Sequence, residues 1–227
     1  MGDLKHFDLG RIAYLGNSRF FVETGTFEGD TTQHVYDNIS YDDLGRNRVD
    51  LVKFWTIECD ASYVTKARER FKNCPKIEVV HEDSITGLEY VDGKCNGNTI
   101  FWLDAHFVGS DGGHNEYDCD NDLKSRLPLE WELKILEQRL LSFRDVIIID
   151  DVRIYEDGPF ESGTFDDAMR SKRSPVRRSQ ISPYNSIDPL LKPFALTHNV
   201  YKLYKHQGYA VLLPKKSFTG IDEVLWK

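Results

Sequence analysis

The sequence predicts an α/β protein with one doubly wound, mostly parallel sheet that is covered by helices and completed by an antiparallel hairpin. Short apolar segments alternate along the chain with segments whose apolar residues have helical spacing. Residues 146–149 are apolar without interruption, which is typical of a parallel strand covered on both faces. Near the C-terminus, segments 200–205 and 209–213 flank Gln207-Gly208 and predict the hairpin.

Local patterns place the individual elements. Tyr63, Ala67 and Phe71 recur at intervals of four and form one face of a predicted helix, and Pro128 suits the first turn of another. Residues 1–18 predict a leading helix or loop that closes over the sheet. The predicted strands are 20–24, 51–57, 77–80, 98–103 and 146–149, and the predicted helices are 30–39, 61–72 and 128–141.

Length and composition limit the class of protein. We expect residues 1–227 to form a single domain, because this length suffices for one well-buried α/β core. The formal net charge of −8 argues against general binding of nucleic acids or anionic membranes, which requires a basic surface. No apolar segment approaches the ~18 residues of a membrane span, and the N-terminus lacks the apolar core of a signal peptide. The four cysteines are scattered, which predicts reduced thiols in a cytoplasmic protein; a homo-oligomer is left open.

A glycine-punctuated turn follows the first predicted strand. Gly25 and Gly29 lack a Cβ, so they tolerate positive φ and let another group approach the backbone closely. Residues 30–32 are Asp-Thr-Thr, which suit the first turn of a helix. A strand, such a turn and a helix N-terminus together predict a ligand cradle. The alternative is a tight turn that holds no ligand.

Every predicted parallel strand ends at an acidic residue. In a parallel sheet these ends share the edge at which ligands bind. Any one acid can instead cap a helix or lie in a solvated loop, and for Asp83 capping is an equal alternative. The coincidence of all five strand ends favours a functional edge. The acids, in chain order, are Glu23, Glu58, Asp83, Asp104 and the pair Asp150-Asp151.

This ordered set resembles the first three motifs of the class I S-adenosylmethionine-dependent methyltransferases, over roughly residues 20–151 and 200–214. The matching residues are Glu-x-Gly-x-x-x-Gly-x-Thr at 23–31, then Glu58, then Asp83-Ser84. The resemblance implies a Rossmann-like fold and S-adenosylmethionine as cofactor. The resemblance implies that Glu23 binds the amino group of the cofactor and that Gly25 and Gly29 lie beside its methionine moiety. It implies that Glu58 binds the ribose and that Asp83 and Ser84 bind the adenine amine. The remaining residues assigned to the cofactor are Thr26, Phe27 and Thr31 of the first motif and Asp104 at the same edge.

A nicotinamide-dependent enzyme is the nearest alternative for the turn. Such an enzyme would carry Gly-x-Gly-x-x-Gly after the first strand. When Gly25 is aligned with the second glycine of that motif, Glu23 occupies the position of the first glycine and the pair Phe27-Glu28 stands at the position of the third. The departure favours S-adenosylmethionine over a dinucleotide.

Three carboxylates predict a metal site between the fourth and fifth strands. If those strands are neighbours, Asp104 converges with Asp150 and Asp151, and hard oxygen ligands of this kind suit Mg²⁺. The pattern Leu-Asp-Ala-His at 103–106 with Ile-Asp-Asp at 149–151 resembles the divalent-metal-dependent O-methyltransferases of the catechol and macrolide-sugar types. The alternative is that these acids cap helices or lie in solvated loops.

A hydroxyl acceptor also needs a base, because it is a poor nucleophile at pH 7. His106 is the first candidate, Asp104 stands beside it as a second catalytic residue, and His114 is a further candidate base. The alternative interpretation is that His106 merely orients Asp104 or packs under the adjacent loop.

Two polar segments have an open interpretation. Residues 107–127 are rich in glycine, aspartate and asparagine and form either a lid over the acceptor or an acidic loop. The start Asp118-x-Asp120-x-Asp122 does not continue as a calcium-binding loop, because Leu123 and Leu129 stand where glycine and glutamate are needed. Residues 152–190 predict an irregular insertion with a basic cluster at 170–178. We expect this cluster either to attract a phosphate or an acidic acceptor, or to form a solvated face.

The sequence therefore predicts an S-adenosylmethionine-dependent O-methyltransferase that is assisted by Mg²⁺ and methylates a hydroxyl of a small molecule or sugar. One alternative is a metal-independent methyltransferase with His106 as base. Another is a non-catalytic module that uses the same fold to bind a ligand or partner. A nucleic-acid methyltransferase is disfavoured by the acidic balance and by Asp104-Ala-His106 in place of an Asn-Pro-Pro-Tyr-type motif.

Overall fold

A seven-stranded sheet forms the centre of the protein. The computed structural model describes residues 4–39, 51–107 and 122–225. Its strands are β1 (Phe20–Thr24), β2 (Lys53–Glu58), β3 (Ile77–His81), β4 (Thr99–Leu103), β5 (Val146–Ile149), β6 (His198–Leu203) and β7 (Tyr209–Pro214). Their order across the sheet is β3-β2-β1-β4-β5-β7-β6. Strands β1 to β5 are parallel, and β7 lies antiparallel to both β5 and β6.

Helices connect these strands in the described part of the chain. They are α1 (Leu9–Gly16), α2 (Asp30–Asn38), α3 (Ala61–Phe71), α4 (Ser84–Asp92), α5 (Leu123–Arg126), α6 (Leu129–Glu137), α7 (Phe165–Ser171), α8 (Arg178–Ile181) and α9 (Asp188–Leu191). Short 3₁₀ segments occupy Leu4–His6, Val152–Ile154, Lys192–Leu196 and Ile221–Glu223. None of the described helices is long and apolar enough to cross a membrane.

The sheet separates two hydrophobic layers. On one face, Val22 and Ile147 belong to a cluster that includes the buried residues of α4 and α6. On the other face, Phe21 and Ile148 belong to a cluster with the buried residues of α1, α2 and α3. Because helices cover both faces, all four residues of β5 are buried and apolar, as the sequence predicted.

A buried ion pair fixes the amino ends of β4 and β5. Arg139 is 3 % exposed, and its Nε donates to Asp145 Oδ2 at 2.7 Å. Its other nitrogens donate to the backbone oxygens of Cys95 and Gly97 at 2.9 Å, while the Thr99 backbone N–H donates to Asp145 Oδ1 at 2.8 Å. The hydrogen bonds satisfy both charges, as a buried pair requires. All of them lie at the opposite end of the strands from the acids Asp104 and Asp150.

The predicted fold class is confirmed, and the main differences lie in the helices. All seven predicted strands occur, but β2 begins two residues later, at Lys53, and β6 lies two residues earlier than predicted, at His198–Leu203. Helix α4 was not predicted, and the helix predicted at 128–141 ends at Glu137 and is preceded by the short α5. The prediction that 152–190 is irregular was wrong in part, because α7, α8 and the start of α9 lie there. That segment is polar, and its helices are too short to show a clear helical period.

Candidate functional site at the carboxyl edge of the sheet

The two glycines of the β1–α2 turn are required by packing within the protein. Gly25 has φ +81°, and a Cβ there would lie 2.8 Å from the backbone oxygen of Asp104. Gly29 has φ +80°, and a Cβ there would lie 2.8 Å from the ring of Phe71. Both distances are shorter than a real contact allows, so only glycine fits. The predicted positive φ is confirmed at both positions, and the close approach at Gly25 joins the turn directly to the end of β4.

Glu58 ties the end of β2 to this turn. Its Oε2 accepts a hydrogen bond from the backbone N–H of Phe27 at 2.8 Å, and its Oε1 accepts one from the backbone N–H of Asp60 at 2.9 Å. Phe27 itself has a positive φ of 50° and packs its ring against Tyr63 with centroids 4.5 Å apart. The carboxylate is therefore held in one orientation at the edge, where its predicted contact with a ribose stays a prediction.

Glu23 lies beneath the turn. It is 1 % exposed, and its Oε2 accepts from the hydroxyls of Thr32 at 2.7 Å and Thr56 at 2.6 Å. Burial raises the pKa of Glu23 to about 7, although hydrogen bonds from Thr56, Thr32 and Thr31 oppose the shift. Thr26 shares a hydrogen bond with the Thr56 hydroxyl. These threonines thus form a network around Glu23. Its predicted contact with the amino group of the cofactor stays a prediction.

Asp83 caps α4. Its Oδ1 accepts from the backbone N–H groups of Ile85 and Thr86, both at 3.0 Å, and its Oδ2 accepts from the Thr86 hydroxyl at 2.6 Å. These bonds lower the pKa of Asp83, against the opposing effect of partial burial. The capping alternative is therefore what the structure shows, while the predicted contacts of Asp83 and Ser84 with an adenine amine stay predictions.

One histidine links the ends of β4 and β5. His106 Nδ1 lies 3.6 Å from Asp104 Oδ1, and His106 Nε2 lies 3.2 Å from Asp151 Oδ2. On its other side, Asp151 Oδ1 accepts a hydrogen bond from Arg153 Nε at 3.1 Å. Because β4 and β5 are neighbours in the sheet, the convergence of Asp104 and Asp151 occurs as the sequence predicted.

Asp150 is fixed from two directions. Its Oδ1 accepts from the backbone N–H of Asp151 at 2.8 Å, and its Oδ2 accepts from Gln207 Nε2 at 3.2 Å. Gln207 belongs to the turn between β6 and β7, and its backbone oxygen accepts from the N–H of Arg153 at 3.1 Å. The C-terminal hairpin therefore buttresses the end of β5 and orients its first carboxylate.

Crowded carboxylates give this cluster an excess of negative charge. Burial, followed by the charge of Asp150, raises the pKa of Asp104 well above its usual value. Burial and the charge of Asp151 raise the pKa of Asp150 to about 7. Burial also acts to raise the pKa of Asp151, but the hydrogen bond and charge of His106 and the charge of Arg153 lower it overall. Asp151 is therefore the member of the trio whose charge is already balanced.

The chemistry of these donors suits a divalent cation. Among the described residues, no group of three or more His, Cys, Asp or Glu side chains is arranged to hold a metal ion. His106 contacts both Asp104 and Asp151. Hard carboxylate oxygens are nevertheless what Mg²⁺ prefers. A cation would also relieve the repulsion that, after burial, raises the pKa values of Asp104 and Asp150. The predicted ligand set Asp104, Asp150 and Asp151 fits such an ion and stays a prediction.

Sequence reasoning missed a buried acid on α6. Glu132 is 1 % exposed, and burial raises its pKa to about 7 while hydrogen bonding from Ser84 and Thr24 opposes the shift. A signal was present in the sequence: Glu132 lies three residues after Leu129 and four before Leu136, on the apolar stripe of the helix. Arg153 and Gln207 were missed as well. The contact of Gln207 with Asp150 is long-range and leaves no comparable local pattern.

Several predictions concern other parts of the chain. His114 and most of the predicted 107–127 loop fall within 108–121, and the polar loop near Tyr41 falls within 40–50; both ranges lie outside the described residues. In the basic cluster, Arg178 Nη2 lies 2.9 Å from Asp157 Oδ2, and Arg170 Nη1 lies 3.2 Å from Asp167 Oδ1. Arg177 Nη1 lies 4.0 Å from Asp166 Oδ2, so three of its cations are paired with nearby acids.

The sheet order β3-β2-β1-β4-β5-β7-β6, with helices on both faces, is that of the Rossmann-like fold found in class I methyltransferases. No protein-family model and no curated protein matches the chain. Among solved structures, the chain is similar to an SAH-bound methyltransferase from Podospora anserina, with 14 % identity, coverage of 91 % of this chain and 76 % of that one, and a TM-score of 0.55.

Two further solved structures share the fold. An O-methyltransferase from Bacillus cereus in complex with SAH has 15 % identity, coverage of 91 % and 78 %, and a TM-score of 0.50. A Staphylococcus aureus protein provisionally named as a caffeoyl-CoA O-methyltransferase has 12 % identity, coverage of 91 % and 80 %, and a TM-score of 0.50. At these identities the likeness establishes the fold of this chain.

Proposed function

We propose that this protein is an S-adenosylmethionine-dependent O-methyltransferase that methylates a hydroxyl of a small molecule or sugar with the assistance of a divalent cation such as Mg²⁺. The observation that carries the proposal is the contact between the turn and the acid cluster. Gly25 packs against the backbone of Asp104, and the N–H of Asp104 donates to the backbone oxygen of Thr24 at 3.2 Å. A cradle for the methyl donor would therefore adjoin the residues that would activate the acceptor.

The donor side of the proposal rests on β1, β2 and the turn between β1 and α2. Glu58 is held at the edge by the N–H groups of Phe27 and Asp60, so its carboxylate is positioned to accept further hydrogen bonds from ribose hydroxyls. The N-terminus of α2 begins at Asp30, immediately after Gly29. These residues would bind and orient the donor, which lowers the barrier by fixing the direction of attack.

On the acceptor side, His106 is suited to take the proton of the attacking hydroxyl. Asp151 lies 3.2 Å from Nε2 and would hold the ring in the orientation in which Nδ1, 3.6 Å from Asp104, accepts the proton. A nucleophile, a base and a carboxylate that orients the base is a recurring catalytic arrangement. A divalent cation bound by Asp104, Asp150 and Asp151 would lower the pKa of the hydroxyl and fix its position.

A metal-independent transferase is the second candidate, and one observation favours it. Asp151 already pairs with the Arg153 guanidinium at 3.1 Å and lies 3.2 Å from the ring nitrogen Nε2 of His106, so its charge does not require a metal ion. In that case His106 alone would activate the hydroxyl. Asp150→Asn would then leave methyl transfer nearly unchanged, whereas His106→Ala would abolish it.

The first experiment measures donor binding by calorimetry, with S-adenosylmethionine and its demethylated product S-adenosylhomocysteine. We expect saturable binding to the wild type, weakened about tenfold or more in Glu58→Ala because hydrogen bonds to a carboxylate are lost. Glu69→Ala is the matched control, since Glu69 is an exposed acid on α3. The absence of binding to the wild type would favour the non-catalytic module and would refute the proposal.

The second experiment measures transfer of a labelled methyl group to a panel of sugars and catechols. We expect activity that EDTA abolishes and added Mg²⁺ restores. Activity that survives EDTA would refute the role of the cation and retain the methyltransferase, and the His106→Ala variant would then decide between the two candidates.

A further inference from the structure

Glu132 carries a buried carboxylate oxygen that is unsatisfied. The side chain is 1 % exposed, and its Oε1 has no hydrogen-bond partner among the described residues. Its neighbours on the buried face of α6 are the apolar side chains of Leu129, Leu133 and Leu136. A buried acceptor of this kind costs free energy unless a donor reaches it, so the position requires a physical reason.

The place of Glu132 in the fold connects it to the candidate site. The side chains of Thr24 and Ser84 act to lower the pKa of its carboxyl group against the effect of burial, so they lie beside it. These two residues are the last residue of β1 and the first residue of α4. The hydroxyl oxygen of Thr24 also accepts from the N–H of Asp104 at 3.3 Å. Glu132 therefore lies under the edge, between the glycine turn and the start of α4.

The neighbouring acid on this side of the edge is already committed. Both oxygens of Asp83 accept hydrogen bonds from the first turn of α4. Glu132 Oε1 is thus the buried acceptor at this end of the edge that still lacks a donor. The methyl donor offers N–H groups in its adenine amine and its α-amino group, and either would satisfy a carboxylate oxygen.

We propose that Glu132 Oε1 accepts a hydrogen bond from an N–H group of the bound methyl donor, which makes Glu132 a further cofactor-binding residue. The inference rests on the proposed function, because it takes an S-adenosyl compound as the ligand. It explains why a helix with an otherwise apolar stripe carries an acid at its centre.

The test measures the affinity of the full-length protein for three ligands by calorimetry, so no turnover is needed. The ligands are S-adenosylhomocysteine, its inosine analogue, in which oxygen replaces the adenine amine, and the analogue without the α-amino group. We expect the wild type to prefer S-adenosylhomocysteine over one of the two analogues by roughly 10- to 100-fold, the range for a hydrogen bond to a charged group. The analogue that is disfavoured identifies which N–H group Glu132 accepts.

The variant Glu132→Met removes both acceptor oxygens and keeps a side chain of similar size. We expect it to bind S-adenosylhomocysteine and the disfavoured analogue equally, and Glu132→Gln to keep part of the preference through its amide oxygen. Glu137→Met is the matched control on the exposed side of the same helix, and it should keep the full preference. Thermal unfolding of each variant verifies that it is folded.

Different results overturn different statements. A wild type that binds all three ligands equally would refute the role of Glu132 whether or not the variants fold. A preference that persists in Glu132→Met would refute it as well, while the proposed function stands. A wild type that binds none of the ligands would refute the proposed function and, with it, this inference.

Discussion

His106 Nε2 lies 3.2 Å from Asp151 Oδ2, so a residue beyond β4 is held by a residue beyond β5. The two strands are parallel neighbours in the sheet, in register from Ile100 opposite Val146 to Leu103 opposite Ile149. The contact therefore depends on the sheet order as well as on the two side chains. It gives His106 a fixed orientation in which its second nitrogen faces Asp104.

Loss of His106 should abolish catalysis and spare binding of the donor. For His106→Ala we expect methyl transfer to fall by about 10²- to 10⁴-fold, the range for a positioned general base. The affinity for S-adenosylhomocysteine should stay within about twofold of the wild type. Labelled methyl transfer and calorimetry measure the two quantities. His34→Ala on α2 serves as control, because His34 hydrogen-bonds with Asn38 of the same helix. A His106→Ala enzyme with normal turnover would contradict the assignment.

Stability should fall with rising pH because of Asp150. Its pKa is raised from 3.8 to about 7 in the folded protein by burial and by Asp151. The folded state therefore binds more protons than the unfolded state between these values, and the stabilisation present below pH 3.8 is lost as the pH rises through about 7. Asp150→Asn cannot ionise and should escape this loss.

The measurement compares urea unfolding of wild type and Asp150→Asn at pH 5 and pH 8 in EDTA. We expect the variant to gain on the order of 1 kcal/mol or more relative to wild type between the two pH values. Gln207 can turn its amide to meet the new side chain, so the hydrogen bond seen at 3.2 Å need not be lost. An equal difference at both pH values would show that Asp150 is ionised at pH 5 and above in the folded state.

Much of this fold is encoded in short-range patterns. The strands show as apolar segments, and the acids that follow them mark where each strand ends, as at Glu58 and Asp104. Positive φ at Gly25 and Gly29 was also predictable, because a strand meets a helix there within a few residues. These features depend on neighbours in the sequence, so the sequence alone locates them.

What could not be predicted depends on partners distant in the chain. Asp83 has the same local pattern whether it caps α4 or binds a ligand, and only the hydrogen bonds to Ile85 and Thr86 distinguish the two. The contact of Gln207 with Asp150 joins residues 57 positions apart. Glu132 was visible as an acid on an apolar stripe, but its place under the edge depends on how α6 packs against α4.

Divalent cations should stabilise the wild type at the acid cluster. At a Mg²⁺ concentration of 100 times the dissociation constant, the gain is about 2.7 kcal/mol, which corresponds to roughly 5–10 °C in Tm for a chain of this size. Asp104→Asn and Asp150→Asn should each lose most of the shift, since each removes a proposed ligand. Asp37→Asn, an exposed position on α2, is the control. A wild type that S-adenosylhomocysteine stabilises but Mg²⁺ does not would favour the metal-independent candidate.

Two glycine-to-alanine substitutions should have opposite effects. Gly25 has φ +81°, and a Cβ there would lie 2.8 Å from the Asp104 backbone oxygen, so Gly25→Ala must shift either the turn or the end of β4. We expect a loss of about 1–3 kcal/mol of stability, together with weaker donor binding. Gly93 ends α4 with φ −60°, and its Cβ would meet nothing closer than 3.7 Å. Gly93→Ala should therefore be neutral or gain about 0.4–1 kcal/mol, because it restricts the unfolded chain.

Urea unfolding and calorimetry with S-adenosylhomocysteine measure both variants. The comparison separates the general effect of adding a methyl group from the specific clash at the edge of the sheet. If Gly25→Ala keeps wild-type stability and affinity, then the backbone of Asp104 moves away freely. In that case the contact between the turn and the acid cluster cannot set the geometry of methyl transfer, and the observation that carries the proposed function loses its force.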